Sequence, residues 1–170
     1  MTMADTIAVM HEGRIEQAGG AADLYERPRT EFVANFLGIS NLIDGKLGAA
    51  QGGLSTVETH DGAHLQVPTD RVGPHDTDSI RVGVRPEKIT LTAGGNGAAD
   101  RNSLRGTVVV AAFLGVSIQY LVRAAGGEEL TVFAQNLDGS EPDSFGPGRE
   151  VHMTWDPHHT FVVGKEQPHE

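Results

Sequence analysis

From Gly38 onward, Gly, Pro, Asn and Asp cut the chain into short runs, and within those runs apolar and polar residues alternate. Successive side chains on a strand point to opposite faces, so a period of two predicts strands with one buried face. The pattern predicts strands at residues 42–47, 54–59, 63–67 and 80–84, then at 104–114, 118–123, 129–133, 150–155 and 160–163. Asp61-Gly62 and Gly126-Gly127 lie between alternating runs and predict two hairpin turns. Many short strands with turn signals at this spacing build small barrels or sandwiches. Residues 93–102, with Gly94, Gly95 and Gly97 among small polar residues, read as a linker, and residues 135–148 as a longer acidic loop.

The first forty residues have a different texture. Thr6-Ile7-Ala8-Val9-Met10 and Arg14-Ile15-Glu16-Gln17 flank a Glu12-Gly13 turn signal, which predicts two short strands. Ala22, Leu24 and Tyr25 then sit at helical spacing, and Pro28 stops that helix. Thr30 is placed to cap a second helix, whose Phe32, Val33, Phe36 and Leu37 form one apolar stripe ending at Gly38.

The β region contains a weak internal echo. Ile43-Asp44-Gly45 resembles Leu104-Arg105-Gly106, and Leu65-Gln66-Val67 resembles Leu130-Thr131-Val132. Val82-Gly83-Val84-Arg85-Pro86 loosely resembles Met153-Thr154-Trp155-Asp156-Pro157. Two related β units joined by the Gly-rich linker would produce this echo. So would the composition that all β-rich chains share.

Composition narrows the chemistry. The 170 residues contain 13 Lys plus Arg against 23 Asp plus Glu, a formal charge of −10, and Cys is 0. Without cysteine there is no disulfide framework, thiolate zinc site or cysteine nucleophile. The negative charge opposes binding to a phosphate backbone. No apolar run approaches the length of a membrane-spanning helix, and the start of the chain lacks the basic and apolar regions of a signal peptide.

Motif searches give no catalytic, cofactor-binding or metal-binding residue. Gly45-Lys46 and Gly164-Lys165 lack the Ser or Thr and the upstream glycine of a phosphate loop. Gly95-Asn96-Gly97 has Asp100 where a dinucleotide fingerprint needs its third Gly. His11-Glu12-Gly13-Arg14-Ile15 fails the zinc-protease pattern at its fifth residue. His158 and His159, near His152, are adjacent and would point apart on a strand, while His60 and His64 flank a turn and read as exposed. Glu141 and Asp143 read as a solvated acidic loop. Trp155 reads as core or rim packing, and Phe113-Leu114-Gly115 as a strand end with a bulge-like glycine.

One ordered set of segments carries a resemblance. Asp5-Thr6-Ile7-Ala8-Val9-Met10, Gly13-Arg14-Ile15-Glu16-Gln17, Leu24-Tyr25-Glu26-Arg27-Pro28, Phe32-Val33-Ala34-Asn35-Phe36-Leu37-Gly38 and Asn41 resemble the end of the nucleotide-binding domain in ATP-binding subunits of ABC importers. Val82-Gly83-Val84-Arg85-Pro86-Glu87 resembles a segment of the regulatory domain that follows. Phe113-Leu114-Gly115, Tyr120, Gln135-Asn136 and Trp155-Asp156-Pro157 resemble its C-terminal half, the TOBE unit, an OB-like barrel. The polyamine (spermidine/putrescine) branch is the most similar, and iron- and sugar-importing branches share most of these signals.

The resemblance implies a mainly β fold with OB-like (TOBE) barrel units preceded by a short α/β remnant of an ABC ATPase domain. It implies a division into residues 1–40, the remnant; 41–165, the regulatory domain in two related halves; and 166–170, a tail. In that family the Walker, signature and switch-histidine motifs precede the segment where this sequence starts, and none of them is present. Gln51-Gly52-Gly53-Leu54-Ser55 has the signature's composition in the wrong order. ATP and magnesium would belong to the parent subunit, so the expectation is a truncated chain with no enzyme activity and no cofactor. Its implied partners are a second copy of the subunit and inner-membrane permease subunits, with no nucleic acid. Its implied place is the cytoplasmic face of the inner membrane, soluble when isolated. The alternatives are a stand-alone barrel that binds a small solute or oxyanion, the regulatory domain of an iron or sugar importer, and a nucleic-acid-binding OB barrel. A further expectation is that the first forty residues, without their parent sheet, fray or self-associate.

Overall fold

A computed structural model of the chain describes residues 4–73, 78–94, 100–135 and 145–164. Strands β1 (Ile7–His11) and β2 (Arg14–Gly19) pair antiparallel around Glu12 and Gly13, which take φ of 48° and 79°. Helices α1 (Ala21–Glu26) and α2 (Glu31–Phe36) follow. The predicted cap is present, with Thr30 Oγ1 accepting from the Val33 N–H at 3.3 Å. Val9, Leu24 and Val33 are buried in a small core of their own. The expected helical stripe is narrower than its sequence. Val33 and Ala34 are buried, but Phe36 is 65% exposed and stacks along Phe32, which stacks in turn on His11. Six residues turn too little helix to bury a wide face.

The remaining strands are β3 (Asn41–Gln51), β4 (Leu54–Thr59), β5 (His64–Pro68), β6 (Ser79–Val84), β7 (Thr90–Thr92), β8 (Asn102–Phe113), β9 (Ser117–Ala124), β10 (Glu129–Gln135), β11 (Glu150–Trp155) and β12 (Phe161–Val163). They form two 5-stranded sheets, ordered β12-β6-β3-β4-β5 and β10-β9-β8-β11-β7. Both predicted hairpin turns are present, with Gly62 at φ 80° and Gly127 at φ 95°. Every predicted strand appears within a few residues of its expected limits, and β7 is the addition. Three residues of Thr-Leu-Thr are too few to show a period. Most of the predicted linker and acidic loop, at 95–99 and 136–144, lies outside the described residues.

The echo corresponds to one topology used twice. β3, β4, β5 and β6 in the first half match β8, β9, β10 and β11 in the second, and each set exits through a 3-10 turn that starts with proline, Pro86–Lys88 or Pro157–His159. The short strand after each turn then crosses over. β7 pairs with β11 of the second half, and β12 pairs with β6 of the first. The halves are therefore interlocked, and a single apolar core runs through both, from Ile43 and Val57 to Met153 and Trp155.

Matching positions carry matching constraints. A Cβ at Gly45 would lie 2.6 Å from Val57 and 2.7 Å from the Glu58 carbonyl. At Gly106 it would lie 2.7 Å from both Val122 and the Arg123 carbonyl. The first strand of each half can therefore press against the second only as glycine.

A paired polar clamp closes the interlock. Asn41, at the start of β3, donates to the Thr131 carbonyl and accepts from the Thr131 N–H, both at 2.7 Å. Asn102, at the start of β8, donates to the Gln66 carbonyl at 2.8 Å and accepts from the Gln66 N–H at 2.6 Å. Each asparagine belongs to one half and holds the third strand of the other, copying with its amide the two bonds a neighbouring strand would make. Asn102 also donates to Thr160 Oγ1 at 2.9 Å, which accepts from Trp155 Nε1 at 2.9 Å as well.

Candidate coupling interface

The helical segment and the first half of the β region meet around Arg85, the residue at the exit of β6. Arg85 is 2% exposed. Its Nη1 donates to the carbonyls of Ala34 at 2.8 Å and Gly38 at 3.1 Å and to Ser40 Oγ at 2.5 Å; its Nη2 donates to the Tyr25 carbonyl at 3.0 Å. The last carbonyls of a helix have no partner within it. One guanidinium from the β region supplies donors around the ends of α1 and α2. Its planar face lies 4.1 Å from the Tyr25 ring centroid. Burial pulls Arg85 below the ordinary arginine value, while Tyr25 and Glu87 push the other way. Arginine stays charged through such a shift.

Glu87, two residues on, accepts a 2.7 Å bond from the Tyr25 hydroxyl. Burial and the neighbouring carboxylate raise the Tyr25 pKa, so the hydroxyl keeps its proton and remains a donor. The Arg-Pro-Glu segment thus grips α1 through both ends of one tyrosine.

A second contact lies beside the first. Arg81 on β6 bonds both carboxylate oxygens of Asp44 on β3, at 2.7 and 2.9 Å, and reaches Glu31 of α2 at 2.6 Å. The hydrogen bond to Asp44 leads the causes that raise the Arg81 pKa. Phe161 packs with Ala34, Val163 and Leu42 in an apolar cluster, and the Gly164 N–H donates to the Arg29 carbonyl at 2.8 Å. This arrangement ties a helical segment to a β body through hydrogen bonds, an ion pair and an apolar cluster.

Among the described residues no three His, Asp or Glu side chains come together as a metal site. His158 and His159 lie in a 3-10 turn rather than on a strand. Thr59 Oγ1 donates to Asp61 across the turn between His60 and His64. Trp155 is fully buried, as its packing reading requires. Gly115, at φ 83°, sits in the β8–β9 turn rather than in a bulge, and Phe113 and Leu114 beside it are exposed. Sequence reasoning missed Asn41 and Asn102 as a pair. The signal was present in Asn41-Leu42-Ile43-Asp44-Gly45 against Asn102-Ser103-Leu104-Arg105-Gly106.

Residues 82–163 match the TOBE domain family. Over 96% of its length the chain is 35% identical to a spermidine/putrescine import ATP-binding protein of Rubrobacter xylanophilus, of which it covers 42%. It is 40% identical to the protein of that name in Frankia alni, covering 36% of it, and 39% identical to that of Acidothermus cellulolyticus, covering 42%. The chain thus spans well under half the length of these curated relatives. The solved structure of the cytoplasmic molybdate-binding protein ModG, with molybdate bound, matches at a TM-score of 0.61 and 17% identity, over 72% of this chain and 94% of that one. Fold and family agree on the class: a mainly β protein of OB-like sheets carrying a TOBE domain. Along nearly its whole length it is similar to part of the spermidine/putrescine import ATP-binding proteins.

Proposed function

We propose that this chain is the regulatory portion of the ATP-binding subunit of an ABC importer for polyamines. The observation that carries the reading is similarity along nearly the whole chain, across both the helical segment and the β region, to spermidine/putrescine import subunits. The Arg85 joint supports it. A regulatory body must be firmly attached to the element whose motion it reads or restrains, and here a buried guanidinium and a tyrosine–carboxylate bond make that attachment.

On this reading the chain supplies no ATP chemistry. Phosphoryl transfer needs a backbone cradle, a lysine, magnesium and a positioned water, and the sequence contains none of the motifs that build them. The partners are a second copy of the subunit and the permease at the cytoplasmic face of the membrane. No helix among the described residues is long and apolar enough to cross a membrane.

The test joins this chain to the catalytic part of a related spermidine/putrescine subunit and measures uptake in cells lacking their own importer. Spermidine or putrescine uptake that is lost when Arg85 is replaced is the expected result. Uptake that never returns, or that returns only for a sugar or iron, overturns the reading. Titration calorimetry of the isolated chain with Mg-ATP should show no binding, and micromolar affinity would contradict it.

A second reading rests on a cleft of about 590 Å³ whose lining includes Glu87, Ile89, Leu91, Tyr120, Phe133 and Phe145. A carboxylate beside aromatic faces suits a cation better than an oxyanion. Thermal stabilisation by spermidine but not by molybdate favours a solute-binding role. Stabilisation by molybdate instead would point to the ligand of the ModG neighbour.

A further inference from the structure

Arg27, Arg29 and Arg71 line one cleft of about 470 Å³, in a chain where acidic residues outnumber basic ones by 23 to 13. The cleft is lined from both the helical segment and the β region. Arg27 and Arg29 come from the link between α1 and α2, and Arg71 from the 3-10 turn Thr69–Arg71 that follows β5. The link is held in place. Gln17, buried on β2, donates to the Arg27 carbonyl at 3.0 Å and accepts from the Arg29 N–H at 2.9 Å. The Gly164 N–H meets the Arg29 carbonyl from the β side.

These guanidiniums are short of acceptors. Arg71 Nη1 donates to the Thr160 carbonyl at 2.9 Å, and its buried Nε has no hydrogen-bond partner among the described residues. Burial first, then the Arg27 charge, pull Arg71 below the ordinary arginine value, and Asp70 and Glu26 offset this only in part. Among the described residues no carboxylate comes within ion-pair distance of Arg29 or Arg71. Arg27 has Asp70 at 3.9 Å, with both side chains more than half exposed. Asp23 and Asp70 are the acidic side chains of the lining, so one guanidinium is in excess. The neighbouring arginines of this seam are better served. Arg81 has the carboxylates of Asp44 and Glu31, and Arg85, whose Nε is also unpartnered, fills its amino groups with protein oxygens.

Size and charge select the ligand. Small-molecule sites are clefts of about 300–1,000 Å³, and this one falls in that range. An arginine fork presents paired N–H groups that match the oxygens of a carboxylate or phosphate. Forks arriving from two walls are satisfied together only by a ligand with several acceptor oxygens. The net charge of −10 opposes a long polyanion, but a small anion feels the local excess of guanidinium. We propose that this cleft binds a small dianion rich in acceptor oxygens, held by Arg71 of the β region and by Arg27 and Arg29 of the helical link. Bound there, the anion bridges the two segments and tightens the seam between them. The inference goes beyond the regulatory reading and does not depend on it.

Calorimetric titration of the full chain at low ionic strength tests it, with inorganic phosphate and succinate as separate probes and sodium chloride at matched ionic strength as the reference. The probes share their charge and differ in span, so they report whether the acceptor oxygens must be compact or spread. The expected result is saturable binding of at least one probe, at roughly millimolar affinity because the guanidiniums stay partly hydrated. Arg29→Gln and Arg71→Gln should each weaken it about tenfold, the loss of one charge-assisted hydrogen bond. Arg105→Gln, at an exposed position on β8, should leave it unchanged. The Arg29 side chain is exposed and its backbone bonds survive the substitution, so that variant tests the site even where Arg71→Gln fails to fold. Bound anion should also slow hydrogen exchange at the Arg29 and Gly164 N–H groups, whose bonds hold the link in place. No saturable heat with either probe, an effect that chloride reproduces, binding that survives both cleft variants, or equal weakening by Arg105→Gln overturns the site. None of these outcomes touches the regulatory reading, which the uptake experiment judges. Millimolar phosphate binding is also far from the micromolar nucleotide affinity that would contradict that reading.

Discussion

At the exit of each half stands a residue before a proline, Arg85 in the first and Asp156 in the second. Asp156 serves only its own turn, accepting from the His158 N–H at 2.8 Å. Arg85 leaves its turn and reaches into the helical segment. The next matching pair differs in the same sense. Gly83 on β6 faces Phe161 of the incoming β12, whereas Thr154 on β11 faces Thr90 of the incoming β7. One half closes with a large ring over a glycine, the other with two medium side chains. The large ring is what also packs against Ala34 of α2. One topology thus carries two different surfaces, because the interlocked backbone fixes the framework and leaves the exit positions free to differ.

Removing the clamps should break the comparison most severely. Asn102→Ala strands the N–H and carbonyl of Gln66 and removes one of the two donors to Thr160 Oγ1, for a loss of about 4 kcal/mol; Asn41→Ala strands only Thr131, for about 3 kcal/mol. Urea unfolding measures both, and equal values would mean that Thr160 adds nothing to its half. Next is Gly83→Thr, which writes the second half's residue into the first. Its side chain collides with Phe161, and the expected loss is about 2–3 kcal/mol. Adding Phe161→Thr should recover part of it, and a double variant no better than the single would show that the exits are not interchangeable.

Replacing Arg85 with Met keeps the bulk and removes the donors. The expected loss is about 2 kcal/mol. Its hydrogen-exchange signature should be faster exchange in residues 21–38 with the second half unchanged, whereas uniform loosening would make Arg85 a general core residue rather than a joint. Arg81→Met removes a partly exposed network and should cost about 1 kcal/mol, less at high salt.

The smallest effect is in pH. Burial first, then the Lys88 charge, lower His159 below its ordinary value of 6.5. Below pH 6.5 the unfolded chain takes up a proton that the folded histidine resists. Stability therefore falls as pH drops through that region and is unaffected above it. Melting curves at pH 7.5 and 5.5 should show a slightly smaller drop for His159→Asn than for the wild type.

Much of the fold was legible, because alternation and turn residues act locally. Asp61-Gly62 and Gly126-Gly127 need the positive φ that glycine accepts, whatever surrounds them. Thr30 caps α2 through a residue three positions away. Where the period could not speak, the reading failed. Phe36 fits the helical stripe yet faces solvent, since the sequence does not say which side of a short helix is covered. β7 is too short to alternate. The Arg-Pro-Glu segment marked a family but did not reveal that its arginine ends on carbonyls some fifty residues earlier.

By itself the sequence determined a mainly β chain, acidic and free of cysteine, without a phosphate loop, and left open whether its internal echo meant two related halves. These properties depend on residue type and near neighbours. Only the tertiary structure decided that the last strand of each half belongs to the other, that Asn41 and Asn102 lock the exchange, and that Arg85 rather than Asp156 becomes the joint. Each of these joins residues far apart in the chain, and hydrogen-bond geometry at such separations is set by the packing of the whole core, which no local pattern encodes.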